Sequence, residues 1–299
     1  MRTRPATTIG AAAARILEQR GRGRVIAVFA RSFYLEFAAG LVCVGPTDFG
    51  PGPMHLLVDV DEPGEAAEGV ALGDPAAVGG DRLRVGGAGF DFAGLAPWRA
   101  PRPGPPSRRA LARGLELLAV AVERRSPVGL GVLVGGLCRG ETLSGGSLDP
   151  LLAPAADPIA AFTAWAGAGG RDPVPDASRL VGLGPGLTPS GDDFLAGFLV
   201  ALRRLGRGGI ADAAARIVVP LAATATNSIA AAHLAHAAEG ETAARFVDLF
   251  DRIAAGDDAA AFLDRVAAVG HTSGWDGLAG MVAAGVAVLG RSAPPRPTT

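Results

Sequence analysis

Residues 182–194 read GLGPGLTPSGDDF, and the apolar run FLAGFLVAL follows at 194–202. Glycine at this density lets a backbone bend sharply or approach a ligand closely. The stretch ends in hydroxyl residues and two acids, at the point where an apolar helix is predicted to begin. A glycine turn that leads into a helix N-terminus exposes free N–H groups and the positive end of the helix dipole, a suitable site for a carboxylate or phosphate.

Roles can be assigned within this stretch from the spacing of its side chains. Ser190 is a suitable N-cap, and Asp193 lies three residues later, where a capping-box acid belongs. Thr188, followed by Pro189, is the competing cap. Asp192 has no capping duty, so it is the candidate for a general base or a metal ligand; the alternative is a well-capped turn with one acid facing water. The predicted ligand contacts are Gly184, Gly186, Thr188, Ser190 and Gly191.

A second stretch repeats the first. Residues 273–280, SGWDGLAG, align without a gap with residues 190–197, SGDDFLAG. Both copies predict a capping-box helix start, with Asp276 as the second cap acid, and both place Ala-Gly where helices can approach closely. We predict that the two helices pack together and that their N-termini open on one pocket. Thr272 and Ser273 would bind substrate there, and His271 is the second candidate catalytic residue.

A third polar stretch lies at Thr226 and Asn227, which can donate hydrogen bonds to a bound acid or amide. A simple N-cap at Asn227 is the alternative. His233 and His236 follow three residues apart, a spacing that suits either a metal pair or a partly exposed helix face.

The rest of the chain predicts an α+β protein in two parts. Segments rich in β-branched and aromatic residues predict strands at 25–30, 32–37, 41–44 and 56–58, with edge strands at 70–72, 83–85 and 90–92. After a proline-rich stretch the pattern is helical, with a break or kink at Pro220, although 127–137 fits helix or strand. We therefore predict a β-rich domain (sheet or small barrel) at 1–100, a linker at 101–107 and a mainly α-helical domain at 108–299 that carries the glycine-rich site.

Composition narrows the function classes. The net charge of −1 gives no electrostatic case for binding nucleic acid or an anionic membrane. The chain has no lysine, which excludes a Schiff-base lysine and a Walker P-loop. Cys43 and Cys138 lack the spacing of a disulfide framework or a zinc site. We find no signal-peptide core and no apolar run of about 18 residues, so we expect a cytoplasmic protein.

The strings GLGPGLTPSGDD at 182–193 and GHTSGWD at 270–276 resemble a bacterial family catalogued as a domain of unknown function. One branch of that family is assigned as a subunit of oxamate carbamoyltransferase. This enzyme ends anaerobic allantoin breakdown, a part of purine catabolism, by exchanging oxamate and carbamoyl phosphate with N-carbamoyl-2-oxoglycine and phosphate. The resemblance implies a carbamoyltransferase subunit that acts on a small anionic nitrogen compound and works with two other proteins. It assigns no role to an individual residue.

Two other functions stay open. One is a metal-assisted hydrolase or phosphotransferase that uses Asp192 and Asp193, and the other is a non-catalytic assembly subunit. Two acids beside an anion site repel the anion unless a cation or an arginine such as Arg179 intervenes. This favours either Mg²⁺ between the acids or a substrate with a positive or neutral edge. Mg²⁺ is thus the one cofactor that the sequence raises.

Overall fold

The computed structural model describes residues 2–62, 64–102, 104–143 and 145–291. Two compact units are present, and the boundary between them falls between Pro101 and Arg102. Each unit has its own hydrophobic core, the first among strands and the second among helices. The predicted α+β class, with a β-rich part followed by a helical part, is confirmed. The predicted linker at 101–107 starts at the unit boundary, and its residue 103 lies outside the described residues.

The first unit is a closed β-barrel with one helix. Its strands are β1 (Arg2–Gly10), β2 (Arg22–Val28), β3 (Phe33–Phe37), β4 (Gly40–Pro46), β5 (His55–Val58), β6 (Pro75–Gly79), β7 (Arg82–Val85), β8 (Ala88–Asp91) and β9 (Pro97–Trp98), and its helix is α1 (Ala11–Glu18). The order is β5-β4-β3-β2-β6-β7-β8-β1-β9, and pairing of β1 with β5 closes eight of these strands into the barrel. The parallel pairs are β1 with β8, β1 with β9 and β4 with β5.

Alternation of side chains fills the barrel. On β3, Phe33, Leu35 and Phe37 are buried while the residues between them are half-buried, as the two-residue period of a strand requires. The rings of Phe33 and Phe90 lie 5.8 Å apart inside. The strands predicted between 25 and 58 and those near 83 and 90 are present. Residues 70–72 form no strand, and β1 and β6 were not predicted because neither carries the apolar run that marked the others.

The second unit is helical. Its α-helices are α2 (Arg108–Glu123), α3 (Val134–Arg139), α4 (Ala156–Gly167), α5 (Ser190–Arg204), α6 (Gly208–Ala225), α7 (Ser228–Ala238), α8 (Ala244–Ala255), α9 (Ala260–Ala267) and α10 (Ser273–Leu289). Helix α10 is buried without interruption from Gly274 to Ala287, which its all-round apolar sequence requires. The ambiguous stretch at 127–137 forms a 3₁₀ turn, Gly129–Leu133, followed by α3.

Helix α6 differs from one expectation. It runs through Pro220, where a break or kink was predicted, so the chain is not broken there, and it has 18 residues with a mean hydropathy of 1.3. By length and composition alone it could cross a membrane, which corrects the expectation that no apolar run reaches that length. A mostly buried core helix passes the same test, whereas 22% of this window is buried. Helix α6 packs against α5 and α7, and its Asp212 pairs with Arg203 at 2.6 Å.

Candidate functional site

The glycine turn leads directly into α5. Gly182, Gly184 and Gly186 have φ values of +75°, +111° and +94°, in the left-handed region that favours glycine. Residues 185–187 are exposed at the tip of the turn. Within the described part of the chain, the N–H groups of residues 186–188 donate no hydrogen bond. The turn therefore places consecutive N–H groups without a partner among the described residues just before the N-terminus of a 15-residue helix.

Helices α5 and α10 pack at backbone contact. A Cβ atom added to Gly197 would lie 2.0 Å from the carbonyl oxygen of Gly277, and one added to Gly280 would lie 1.9 Å from that of Phe194. Only glycine permits this approach. The predicted packing of the two repeated helices through their Ala-Gly positions is thus present, and each repeat contributes one of the two glycines.

The helix N-termini exchange polar contacts across this interface. The hydroxyl of Ser273 at the start of α10 donates to Asp193 of α5. In return, the hydroxyl of Ser190 at the start of α5 donates to Asp276 of α10. Thr188 also lies beside Asp193, and its Oγ1 is 2.7 Å from the Ser273 Oγ, so that one of these two hydroxyls donates to the other. The sequence repeat therefore produces a reciprocal arrangement, in which the serine of each helix hydrogen-bonds to the aspartate of the other.

Both acids are held away from water. Asp276 is fully buried, and its Oδ1 accepts a 2.6 Å hydrogen bond from the N–H of Leu130. Burial raises the pKa of Asp276, although hydrogen bonds from Thr272, Leu130 and Ser190 oppose the rise. Burial likewise raises the pKa of Asp193 well above its usual value, and the charges of Asp276 and Asp192 add to the effect.

Asp192 belongs to a different set of contacts. It is 2% exposed, and its Oδ1 accepts from the N–H of Gly182 at 3.0 Å while its Oδ2 accepts from Thr226 Oγ1 at 2.6 Å. These bonds join the glycine turn to the segment before α7. Burial raises the pKa of Asp192, and the two hydrogen bonds limit the rise. The sequence assigned no capping role to Asp192, and in the structure its two hydrogen bonds fix the glycine turn.

The predicted caps at the two helices are not present. Pro189 precedes α5 and Thr272 precedes α10, and neither helix has a side-chain cap. Asp193 and Asp276 instead reach across the helix interface, a tertiary contact that capping rules for a single helix cannot anticipate. The shared pocket predicted for the two N-termini is a buried polar cluster, since Ser190 is 2% exposed.

Other predicted site residues lie outside this cluster. Asn227 caps α7, accepting hydrogen bonds from the N–H groups of Ile229 and Ala230. Gly191 is buried: its N–H donates to Leu183, and an added Cβ would lie 2.0 Å from the Leu180 carbonyl oxygen. His271 is exposed two residues before α10. The cluster therefore unites the following side chains: Thr188, Ser190, Asp193, Thr272, Ser273 and Asp276.

One partner was missed at the sequence level. The N–H of Leu130 reaches Asp276 because the preceding Gly129 adopts a φ of +59° and leaves room for that carboxylate. A Cβ at Gly129 would lie 2.4 Å from Asp276 Oδ1. The glycine-rich character of 127–137 was the only signal available for this contact.

The arrangement gives little support to a metal site at Asp192 and Asp193 or at the two histidines of α7. Asp192 and Asp193 are adjacent in sequence but have separate partners. In the described ranges, no group of three or more His, Cys, Asp or Glu side chains is placed to hold a metal ion. His236 lies 3.7 Å from Glu241, so its ring faces an acid on the following turn.

Fold and site together define a two-unit α+β protein whose helical unit joins two helix N-termini beneath an exposed glycine turn. Residues 180–285 match the model of the family described as oxamate carbamoyltransferase subunit AllH. The match runs from just before the glycine turn to near the end of α10, and it confirms the family resemblance over this segment. No curated protein and no solved structure gives a significant match to the chain.

Proposed function

We propose that this chain is a subunit of an oxamate carbamoyltransferase and that its glycine turn binds one of the small anions of that reaction. The observation that carries the proposal is the extent of the family match. Residues 180–285 begin two residues before Gly182 and include both helices of the reciprocal cluster. The matched segment is therefore the part of the fold in which a helix N-terminus and free backbone donors occur together.

The chemistry of the turn suits such an anion. Oxamate and carbamoyl phosphate both carry oxygens that accept hydrogen bonds. The N–H groups of residues 186–188 have no partner among the described residues and precede the positive end of α5. A Cβ at Gly186 would meet no atom within 4 Å, so there is open space against the backbone at this point. A compact anion needs such space to approach the N–H groups closely.

The proposed roles of the two candidate catalytic residues differ. Asp192 has both carboxylate oxygens engaged by the protein, so we assign it to positioning the turn. His271 is exposed beside the start of α10 and is free to contact a ligand from the solvent side. It is the candidate for proton transfer to or from the attacking nitrogen.

Binding to the turn is tested with Gly186→Ala and the control Gly169→Ala. Both glycines have positive φ, +94° and +85°, and an added Cβ meets no atom within 4 Å at either position. The two variants therefore carry the same backbone strain, about 1–2 kcal/mol. We expect Gly186→Ala alone to weaken carbamoyl phosphate or oxamate binding by at least about tenfold, measured by calorimetry. Equal affinities in the two variants would exclude the turn as the anion site.

Function as a subunit is tested separately. Co-expression with the products of flanking genes, followed by co-purification, determines whether the chain enters a complex, and a coupled assay then measures carbamoyl transfer to oxamate. We expect the complex to have activity and the His271→Ala complex to have less. A complex whose turnover is unchanged by both His271→Ala and Gly186→Ala would favour the non-catalytic assembly role.

A further inference from the structure

The outer wall of the barrel carries a basic face on three neighbouring strands. Strands β2, β6 and β7 lie side by side in the sheet, and together they contain four arginines and no acid. All four arginines are exposed: Arg22, Arg24, Arg82 and Arg84. Val25 and Val85, which alternate with them, are buried, so the arginines project from the solvent side of the sheet. In a chain with a net charge of −1, this face concentrates positive charge.

Strand register places two of these arginines in one row. Ala77 of β6 pairs with Arg22 of β2 on one side and with Arg84 of β7 on the other. Neighbouring strands are about 4.8 Å apart, so the Cα atoms of the two arginines are about 10 Å apart, with a single methyl side chain between them. Side chains as long as arginine can both reach an anion that lies above Ala77.

The rows on either side of Ala77 carry one arginine each. Arg24 lies opposite Pro75, and Arg82 lies opposite Gly79. These floor residues of β6 are exposed and small, so β6 forms the floor of a trough between the arginines of β2 and those of β7. We call this surface the basic trough. Its rows are two residues apart along the strand and therefore repeat at about 6.7 Å.

Two of the four guanidinium groups have no ionic partner. Arg24 pairs with Glu36 of β3 at 2.8 Å. Arg82 pairs with Asp91 of β8 at 3.1 Å. In the ranges that the structure describes, neither Arg22 nor Arg84 has an acid within salt-bridge distance. Two unpaired like charges on either side of Ala77 repel each other, and an anion between them would remove this repulsion.

We propose that the basic trough is a docking site for an extended acidic segment of a partner protein. In that segment carboxylates occur at every second residue, because alternate side chains of an extended chain point to the same face and repeat at about 6.7 Å, the spacing of the arginine rows. Three carboxylates at positions i, i+2 and i+4 would then lie over the three floor residues of β6. The central carboxylate would accept charge-assisted hydrogen bonds from both Arg22 and Arg84.

The chemistry of the trough favours a protein segment over a nucleic acid or a lipid surface. Single-stranded nucleic acids are bound by aromatic side chains on which bases stack, and β2, β6 and β7 carry none. Peripheral membrane binding buries an apolar face in the lipid, whereas the floor of this trough lies between arginines. Both edges of β6 are already paired, so the partner is held by charge and its affinity falls with salt.

Binding of a synthetic peptide to the intact chain tests the proposal. The probe is a peptide of about ten residues with alternating glutamate and serine, and the control peptide has the same number of glutamates at every third position. We expect the alternating peptide to bind more tightly than the control peptide at low salt, measured by fluorescence anisotropy. Its affinity should fall by at least about tenfold in Arg22→Gln and in Arg84→Gln. The matched variant Arg15→Gln, at an exposed arginine of α1, should leave the affinity unchanged.

A substitution on the floor of the trough gives a second readout that needs no partner. Ala77→Glu places a carboxylate at an exposed position between Arg22 and Arg84. We expect this variant to have a higher Tm, because opposite charges on neighbouring strands stabilise a sheet. It should also lose binding of the alternating peptide, since the new carboxylate occupies both guanidinium groups. The control Ala77→Gln, which has the same size and no charge, should not raise the Tm.

Several results would overturn the proposal. They are the absence of measurable binding of the alternating peptide, equal affinity for the two peptides, and equal affinity in Arg22→Gln and Arg15→Gln. Preferential binding of a single-stranded oligonucleotide or of phosphatidylserine vesicles would assign the trough to a different class of partner. The docking site does not rest on the proposed function, and the peptide assay is independent of the anion assay with Gly186→Ala, so failure of one is distinguishable from failure of the other.

Discussion

The backbone contact between α5 and α10 makes a quantitative prediction for Gly280→Ala. An added Cβ at this position would lie 1.9 Å from the carbonyl oxygen of Phe194 and 2.8 Å from the N–H nitrogen of Phe198. Real Cβ atoms essentially never approach closer than 3.0 Å, so α5 and α10 must separate by more than 1 Å. The atoms in the way belong to the backbone and cannot rotate aside.

Several effects combine in the expected cost. Overpacking of a closely packed core destabilises by typically about 1–3 kcal/mol and occasionally more. Separation of the helices also strains the cross-helix bonds of Asp193 and Asp276, each worth about 1–1.5 kcal/mol. Alanine regains up to about 1 kcal/mol of helix propensity over glycine. We expect Gly280→Ala to lower the free energy of unfolding by about 3–5 kcal/mol.

Gly285→Ala is the matched control, since it lies in the same buried helix. An added Cβ there would meet its nearest atom, Leu115 Cδ1, at 3.5 Å, an ordinary van der Waals contact. The control should therefore be neutral or more stable by up to about 1 kcal/mol. Urea unfolding followed by tryptophan fluorescence compares the two, because Trp165 and Trp275 are buried in the helical unit. Equal stability of the two variants would refute the close approach of α5 and α10.

Two further predictions concern single side chains. Asn227→Ala should lower the free energy of unfolding by about 1 kcal/mol and leave anion affinity unchanged, because Asn227 caps α7. The control Ser107→Ala, at the equivalent cap of α2, should have the same cost. A tenfold loss of anion affinity in Asn227→Ala alone would show that Asn227 contacts the ligand. Burial raises the pKa of the Cys43 and Cys138 thiols to about 12, so neither should react with a disulfide reagent at about pH 8 before unfolding; fast reaction of the native chain would show that the thiols are accessible.

Strand and helix positions followed well from local pattern. The aromatic and β-branched segments predicted the central strands of the barrel. Strand β1 was missed because RTRPATTIG carries polar side chains at most positions. It is held by pairing with β5, β8 and β9, which are distant in sequence. Pairing partners of that kind are invisible to a local window.

For the site, the sequence likewise predicted one part correctly, the pairing of the helices, and another part wrongly, the roles of the acids. The repeat of Ser-Gly-x-Asp correctly indicated that α5 and α10 are a pair, because the small residues two turns into each helix allow close packing. The roles of the acids were assigned wrongly, since Asp193 and Asp276 were assigned as caps of their own helices. A capping box is a local rule, and the serine that each acid contacts belongs to the other helix.

By itself the sequence determined the two-part α+β organisation, the helix start after residues 182–189, the family resemblance and the pairing of the two repeats. Hydrophobic periodicity and glycine content are local properties of the chain, so they can be identified from the sequence alone. Only the tertiary structure decided which partners each acid has. Asp192 accepts from Gly182 and Thr226, Asp193 is bonded to Ser273 of the opposite helix, and Asp276 to Leu130 and to Ser190 of the opposite helix. Burial and distance set the charge of these carboxyl groups, and both exist only after helices far apart in sequence have packed together.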